Sequence, residues 1–154
     1  MTMQQAPYPA PLFTLPTSDG KVYSLDELKG TWVVLYVYPK DETPGCTIEA
    51  CSFRDAHTEI LKRRAVLLGL SMDDEKSHKA FESKHNLPFP LLSDATGDVI
   101  KKYDAWGKKM FGKEGILRRT YIINPSGEVV KVYGRVTPLG HGKQVIDELD
   151  TLQR

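Results

Sequence analysis

Cysteine is scarce in this sequence: two residues in 154, Cys46 and Cys51. That is too few for a secreted scaffold held by disulfides, and in a cytosolic chain such a pair serves redox or metal chemistry, or is simply buried. A charge excess of one sign is missing as well. Lysine and arginine number 21 against 20 aspartates and glutamates, a formal net charge of +1. The basic surplus that nucleic-acid binding or a polybasic membrane anchor requires is therefore absent. No apolar run approaches the roughly 18 residues that cross a bilayer. The opening, Met1 to Thr14, is broken by Pro7, Pro9 and Pro11 and lacks the charged start and apolar middle of a signal peptide. These absences predict a cytoplasmic chain with no nucleic-acid or membrane partner.

What is present describes an ordinary globular chain. With 40% hydrophobic and 27% charged residues, overall disorder is excluded, and the length suits one domain over residues 1–154. There is no internal repeat and no long linker, and residues 1 to about 10 read as an extended N-terminal arm. Lys21–Leu25 reads as a short strand after the Ser18-Asp19-Gly20 turn. Trp32 to Tyr38 is seven apolar or aromatic residues in a row, rich in β-branched types, as in a central strand covered on both faces.

From Thr43 the period changes to that of a helix, with Ile48, Cys51, Phe53, Ala56 and Ile60 on one face. Ala65–Met72 predicts a second strand. Asp73 or Asp74 caps a helix that runs to about Asn86, and a short strand at Leu91-Leu92 and a short helix at Asp98–Tyr103 follow. Thr120–Ile123 and Glu128–Tyr133 flank an Asn124-Pro125-Ser126-Gly127 turn, which predicts a hairpin. A helix from Gln144 to Leu152 closes the chain. This order predicts an α/β, thioredoxin-like fold, a mixed central sheet flanked by helices.

Cys46 stands where a central strand has just ended and a helix begins. Unpaired first-turn N–H groups and the positive end of the helix dipole favour negative charge there, hence a nucleophilic thiolate. The bland alternative is a small buried hydrophobe, against which the polar Thr43-Pro44-Gly45 turn argues. Zinc would require cysteines two to four residues apart and further ligands, and His57, His78, His85 and His141 have no such spacing to the cysteines. His78 and His85 share a helical face that reads as solvated.

Pro39, Thr43 and Cys46 match the Pro-x-x-x-Thr-x-x-Cys signature of the peroxiredoxins. The longer Tyr38-Pro39-Lys40-Asp41-Glu42-Thr43-Pro44-Gly45-Cys46-Thr47-Ile48-Glu49-Ala50-Cys51 resembles their bacterioferritin comigratory protein or PrxQ type. Arg118-Arg119-Thr120-Tyr121-Ile122-Ile123-Asn124 resembles that family's Arg-x-Thr-Phe-x-Ile-Asp strand, with Tyr121 and Asn124 as departures away from the nucleophile. The resemblance implies a thiol peroxidase for hydrogen peroxide and organic hydroperoxides. Cys46 would attack the peroxide, Arg118 would hold the thiolate and the peroxide oxygen, Thr43 would orient the substrate and Pro39 would shield the sulfur. Cys51 would resolve the Cys46 sulfenic acid as an intramolecular disulfide, and thioredoxin or a similar dithiol would reduce it. The resemblance implies no metal, haem or flavin, and the single-chain cysteine pair leaves no chemical need for a dimer, so a monomer is expected.

Glu49 also matches the pattern, although a solvated helix residue explains it equally well. Arg119 should point away from Arg118, towards solvent. The basic stretch Lys101–Arg119 reads as a solvated loop, in which Trp106, Met110 and Phe111 form either an apolar collar or ordinary packing. A thiol–disulfide oxidoreductase and a holdase-like binding module on the same fold remain as alternatives, the former weakened by four residues between the cysteines where two are usual. On one regular helix the two Cα atoms would lie roughly 8.6 Å apart, beyond the usual 4.4–6.8 Å of a disulfide.

Overall fold

The computed structural model describes residues 5–154, so the first four residues of the expected arm lie outside the described residues. In chain order the strands and helices begin with β1 (Tyr8–Pro9), β2 (Thr14–Pro16), β3 (Val22–Ser24), β4 (Trp32–Val37) and α1 (Pro44–Lys62). Next come β5 (Ala65–Ser71), α2 (Glu75–His85), β6 (Leu91–Ser93), α3 (Asp98–Lys102) and the pair β7 (Trp106–Lys108) and β8 (Glu114–Ile116). The chain closes with β9 (Arg119–Ile123), β10 (Glu128–Tyr133) and α4 (His141–Leu152).

Six strands form one mixed sheet in the order β1-β10-β9-β4-β5-β6. The Trp32–Tyr38 run is central to it: β4 pairs with β5 in parallel and with β9 antiparallel. Its alternate side chains enter two separate cores, which is why the run is apolar without a break. Val33, Leu35 and Val37 join Phe13, Tyr103 and Tyr121 on one side. Val34, Tyr36 and Tyr38 join Cys46, Phe53, Ile60 and Val145 on the other, beneath α1 and α4. α3 lies on the first side through Val99 and Ile100, so helices flank both faces, the thioredoxin-like arrangement expected.

Local chemistry explains several boundaries. Of the two candidate caps for α2, Asp74 takes the role and accepts from the Ser77 N–H, while Asp73 serves the loop before α1. The Asn124 side chain accepts from the Ser126 and Glu128 N–H groups and so shapes the β9–β10 turn. α4 starts three residues earlier than the apolar period indicates. Its Gly142 lies so close to α1 that an added Cβ would stand 2.6 Å from the Ser52 carbonyl oxygen.

The arm is not free at its inner end. Tyr8 and Pro9 pair with β10 and form the edge of the sheet, with Tyr8 buried. The Lys101–Arg119 stretch contains the β7–β8 hairpin in place of a plain solvated loop. Trp106 packs partly against the core, with the Lys101 ammonium 4.9 Å above its ring. Phe111 is 96% exposed, so it forms neither a collar nor ordinary packing; the Met110 side chain lies outside the described residues.

Candidate active site

After β4 the chain passes through Tyr38 and a short loop, and Thr43, in extended conformation, caps α1 with Pro44 as its first residue. Proline fits there because its missing N–H would have no helical partner in any case. The first helical hydrogen bond is Thr47 N–H to the Thr43 carbonyl. Cys46 therefore sits in the initial turn, where amides point out of the helix. The Thr43 hydroxyl does not cap the helix and donates instead to the Lys40 carbonyl at 2.8 Å.

Cys46 is 1% exposed, so the polar turn before it does not keep it out of the core. Arg118 reaches this sulfur from just before β9. Its Nη2 donates to Cys46 Sγ at 3.4 Å, and its Nη1 donates to Glu49 Oε1 at 2.6 Å. One guanidinium thus spans two residues three apart on α1, as its planar fork allows.

Glu49 corrects the solvated reading, since it is completely buried. Its Oε2 has no hydrogen-bond partner among the described residues. Burial pushes its carboxyl up to about 7, with the charge and hydrogen bond of Arg118 acting the other way. For Arg118 burial acts to lower the pKa, but its interactions with Glu49 and Cys46 outweigh it and raise the value.

Arg119 departs from expectation too. It lies on the other side of the strand as predicted, but half-buried, donating through Nη1 to the Asp104 carbonyl. The segment around Tyr103 and Asp104 covers that face, and the Tyr121 hydroxyl donates to the Tyr103 carbonyl beside it.

Cys51 is half-buried, five residues along the same helix, and both cysteines are free thiols. It borders an open groove of about 770 Å³ between α1 and α4, with Ile48, Leu139 and Ile146. Pro39 is half-buried in the loop before α1.

The histidines are mostly not surface groups. His78 is completely buried and 2.7 Å from Asp41, contrary to the solvated face expected. His85 is half-buried and lies 3.6 Å from Glu42. His141 is buried between the Thr120 hydroxyl at 2.8 Å and the Gln144 side chain at 2.9 Å, and burial lowers its pKa. Among the described residues, one group of metal-ligand type comes together, Asp41, Asp73 and His78 within 4.8 Å. It contains no cysteine, and the His78 nitrogens are already hydrogen-bonded. Sequence spacing missed it because Asp41 lies 32 and 37 residues from its partners.

The model of the AhpC/TSA family matches residues 7–132. A putative peroxiredoxin bcp of Coxiella burnetii is 48% identical over 143 residues, covering 91% of this chain and 95% of that protein. Peroxiredoxin Bcp of Bacillus subtilis is 43% identical over 147 residues, 94% of this chain and 92% of the relative. Among solved structures, the bacterioferritin comigratory protein of Xanthomonas campestris, studied for alkyl peroxide reduction, superposes with a TM-score of 0.88 at 36% identity. It covers 92% of each chain.

Proposed function

The chain belongs to the AhpC/TSA family, in the Bcp and peroxiredoxin Q branch of thiol peroxidases, and on that premise we propose that Cys46 is the peroxide-reactive sulfur and Cys51 its resolving partner. The observation that carries this reading is the Arg118 Nη2–Cys46 Sγ contact of 3.4 Å at the start of α1. A fixed cation and a helix N-terminus both stabilise a sulfur anion, and the same guanidinium lies beside the site where negative charge develops on the leaving oxygen.

In the proposed cycle the Cys46 thiolate attacks one oxygen of the peroxide. An S–O bond forms as the O–O bond breaks, the leaving oxygen takes a proton, and water or an alcohol departs. Cys46, oxidised by two electrons, is now a sulfenic acid. The Thr43 hydroxyl already donates to Lys40, so its free lone pairs accept the O–H of hydrogen peroxide or of an organic hydroperoxide. Pro39 limits water at the sulfur. The Cys51 thiol then displaces the sulfenic oxygen as water, giving a Cys46–Cys51 disulfide. A thioredoxin-like dithiol reduces that bond by exchange and is itself left as a disulfide. Sulfur carries both electrons throughout, so the cycle calls on no cofactor. The whole chain acts as one domain and as a monomer, and a cytoplasm that keeps thiols reduced supplies the starting state.

A coupled assay with NADPH, thioredoxin reductase and thioredoxin tests this reading, run with hydrogen peroxide and several organic hydroperoxides. Peroxide-dependent NADPH loss is expected, abolished by Cys46→Ser. Cys51→Ser should complete a single oxidation and leave a sulfenic acid that a trapping reagent captures. Equal single-turnover consumption by both variants would overturn the assignment, and disulfide reduction without peroxide dependence would favour an oxidoreductase.

A further inference from the structure

Beneath the loop that leads to Cys46 lies a buried polar cluster outside the sulfur chemistry; the inference drawn from it rests on the peroxidase reading. His78 Nδ1 lies 2.7 Å from Asp41 Oδ2, and Nε2 lies 3.0 Å from the Leu92 carbonyl oxygen. A carbonyl oxygen only accepts, so Nε2 bears a proton. Asp41 Oδ2 also accepts from the Ser77 hydroxyl at 2.8 Å, and Oδ1 accepts from the Tyr38 hydroxyl at 2.6 Å. An oxygen that already accepts from a hydroxyl, on a carboxylate surrounded by donors, leaves the shared proton on Nδ1. Both ring nitrogens then donate, and His78 is an imidazolium sealed in the interior.

The surroundings agree. The ionisable groups facing the ring are Tyr38 at the end of β4, Asp41 in the loop, Asp73 before α2 and Glu82 farther along α2. All are neutral or acidic. Burial alone would lower the imidazole pKa, but the hydrogen bond and charge of Asp41, with the Leu92 carbonyl, outweigh it and raise the value.

What the pair holds in place is the loop. The Asp41 N–H donates to Asp73 Oδ2 at 2.8 Å. Glu42, with a left-handed φ of 65°, reaches Lys84 of α2 at 2.9 Å. The Lys40 carbonyl between Pro39 and Asp41 receives the Thr43 hydroxyl. Consecutive residues are thus tied to α2 and to each other directly ahead of the turn that carries Cys46.

We propose that the buried His78–Asp41 ion pair is a positioning device for the peroxide site, a charged anchor that sets the Pro39–Thr43 loop and, through it, the Thr43 hydroxyl and the first turn of α1. A charged anchor suits this task because neither partner is tolerated alone in the interior, which makes the loop's placement all-or-none.

The ring is read directly by ¹⁵N NMR of the wild-type dithiol protein. Both His78 ring nitrogens should appear as N–H near neutral pH, and one bare nitrogen there overturns the charged anchor. The positioning role is read by separating two rates, oxidation of Cys46 by hydrogen peroxide and reduction of the oxidised protein by dithiothreitol. A misplacement of about 1 Å can cost about 100-fold in rate, so His78→Gln should slow oxidation by about ten- to 100-fold. Ser77→Ala and Tyr38→Phe each remove one hydrogen bond to Asp41 but keep the ion pair, so they test the role even if His78→Gln fails to fold, and they should slow oxidation by about two- to tenfold. Reduction should be unchanged in all three. Wild-type oxidation rates in the two milder variants, or equal slowing of both steps, overturn the proposal. A wild-type protein that consumes no peroxide would overturn the peroxidase reading itself, on which the ring spectrum does not depend.

Discussion

Gly45 lies against the guanidinium of Arg118: a Cβ placed on it would stand 3.1 Å from Nη2 and 3.8 Å from Cζ. The absent side chain is what allows the cation to reach the neighbouring sulfur. Gly45→Ala should therefore separate activity from stability. Alanine favours a helix over glycine by up to about 1 kcal/mol, so the unfolding midpoint should hold or rise. The displaced guanidinium should slow peroxide reduction by about tenfold or more. Stopped-flow kinetics and denaturant unfolding on the same samples check both halves, and an unchanged rate would show that the Arg118 position is not critical.

The two adjacent arginines should fail in different ways. Arg118→Ala removes the donor to Cys46 and leaves Glu49 without its cation, and loss of one such donor costs about 100- to 1,000-fold in rate. Arg119→Ala instead strands the Asp104 carbonyl, so it should cost about 1–3 kcal/mol of stability with the rate held within about threefold. Peroxide kinetics and urea unfolding of both variants decide the matter. A larger rate loss at Arg119 would contradict the site.

Glu49 should leave a mark on the pH dependence of stability. Its carboxyl is pushed up to about 7 in the folded protein, from an ordinary value of 4.5. Between those values the folded state binds more protons than the unfolded chain. Its stabilising contribution is therefore full below about 4.5 and declines as pH rises to about 7. Glu49→Gln does not titrate, so its stability relative to wild type should increase with pH across that window. Unfolding free energies at several pH values test this; a flat difference would mean that Arg118 keeps the carboxylate charged throughout.

Disulfide formation should unwind the start of α1. Both cysteines lie on this helix in the dithiol form, and a regular helix holds their Cα atoms roughly 8.6 Å apart, too far to bridge. Amide exchange across Thr47 to Arg54 should be protected in the reduced protein and fast in the oxidised one. Equal protection in both states, with the disulfide confirmed by mass, would exclude local unfolding as the route to the bond.

The amino-acid sequence by itself determined the local features. The unbroken apolar run of β4, the turn of Asn124 to Gly127 and the Thr43-Pro44-Gly45 entry to α1 are set by neighbouring residues. So the fold class and the placement of Cys46 at a helix start were legible there. Tertiary structure alone decided which polar residues enter the core. His78 reads as solvated, and for Glu49 a solvated position reads as well as a role at the site, because charged and imidazole groups are mostly exposed. They are buried because Arg118 arrives from 69 residues away and Asp41 from 37. The β7–β8 pairing and the addition of Tyr8–Pro9 to the sheet edge were decided in the same way. Hydrophobic periodicity records the average environment of a helix or strand face. A single polar group satisfied by a distant partner leaves no trace in that average, and its burial is settled only when the chain closes around it.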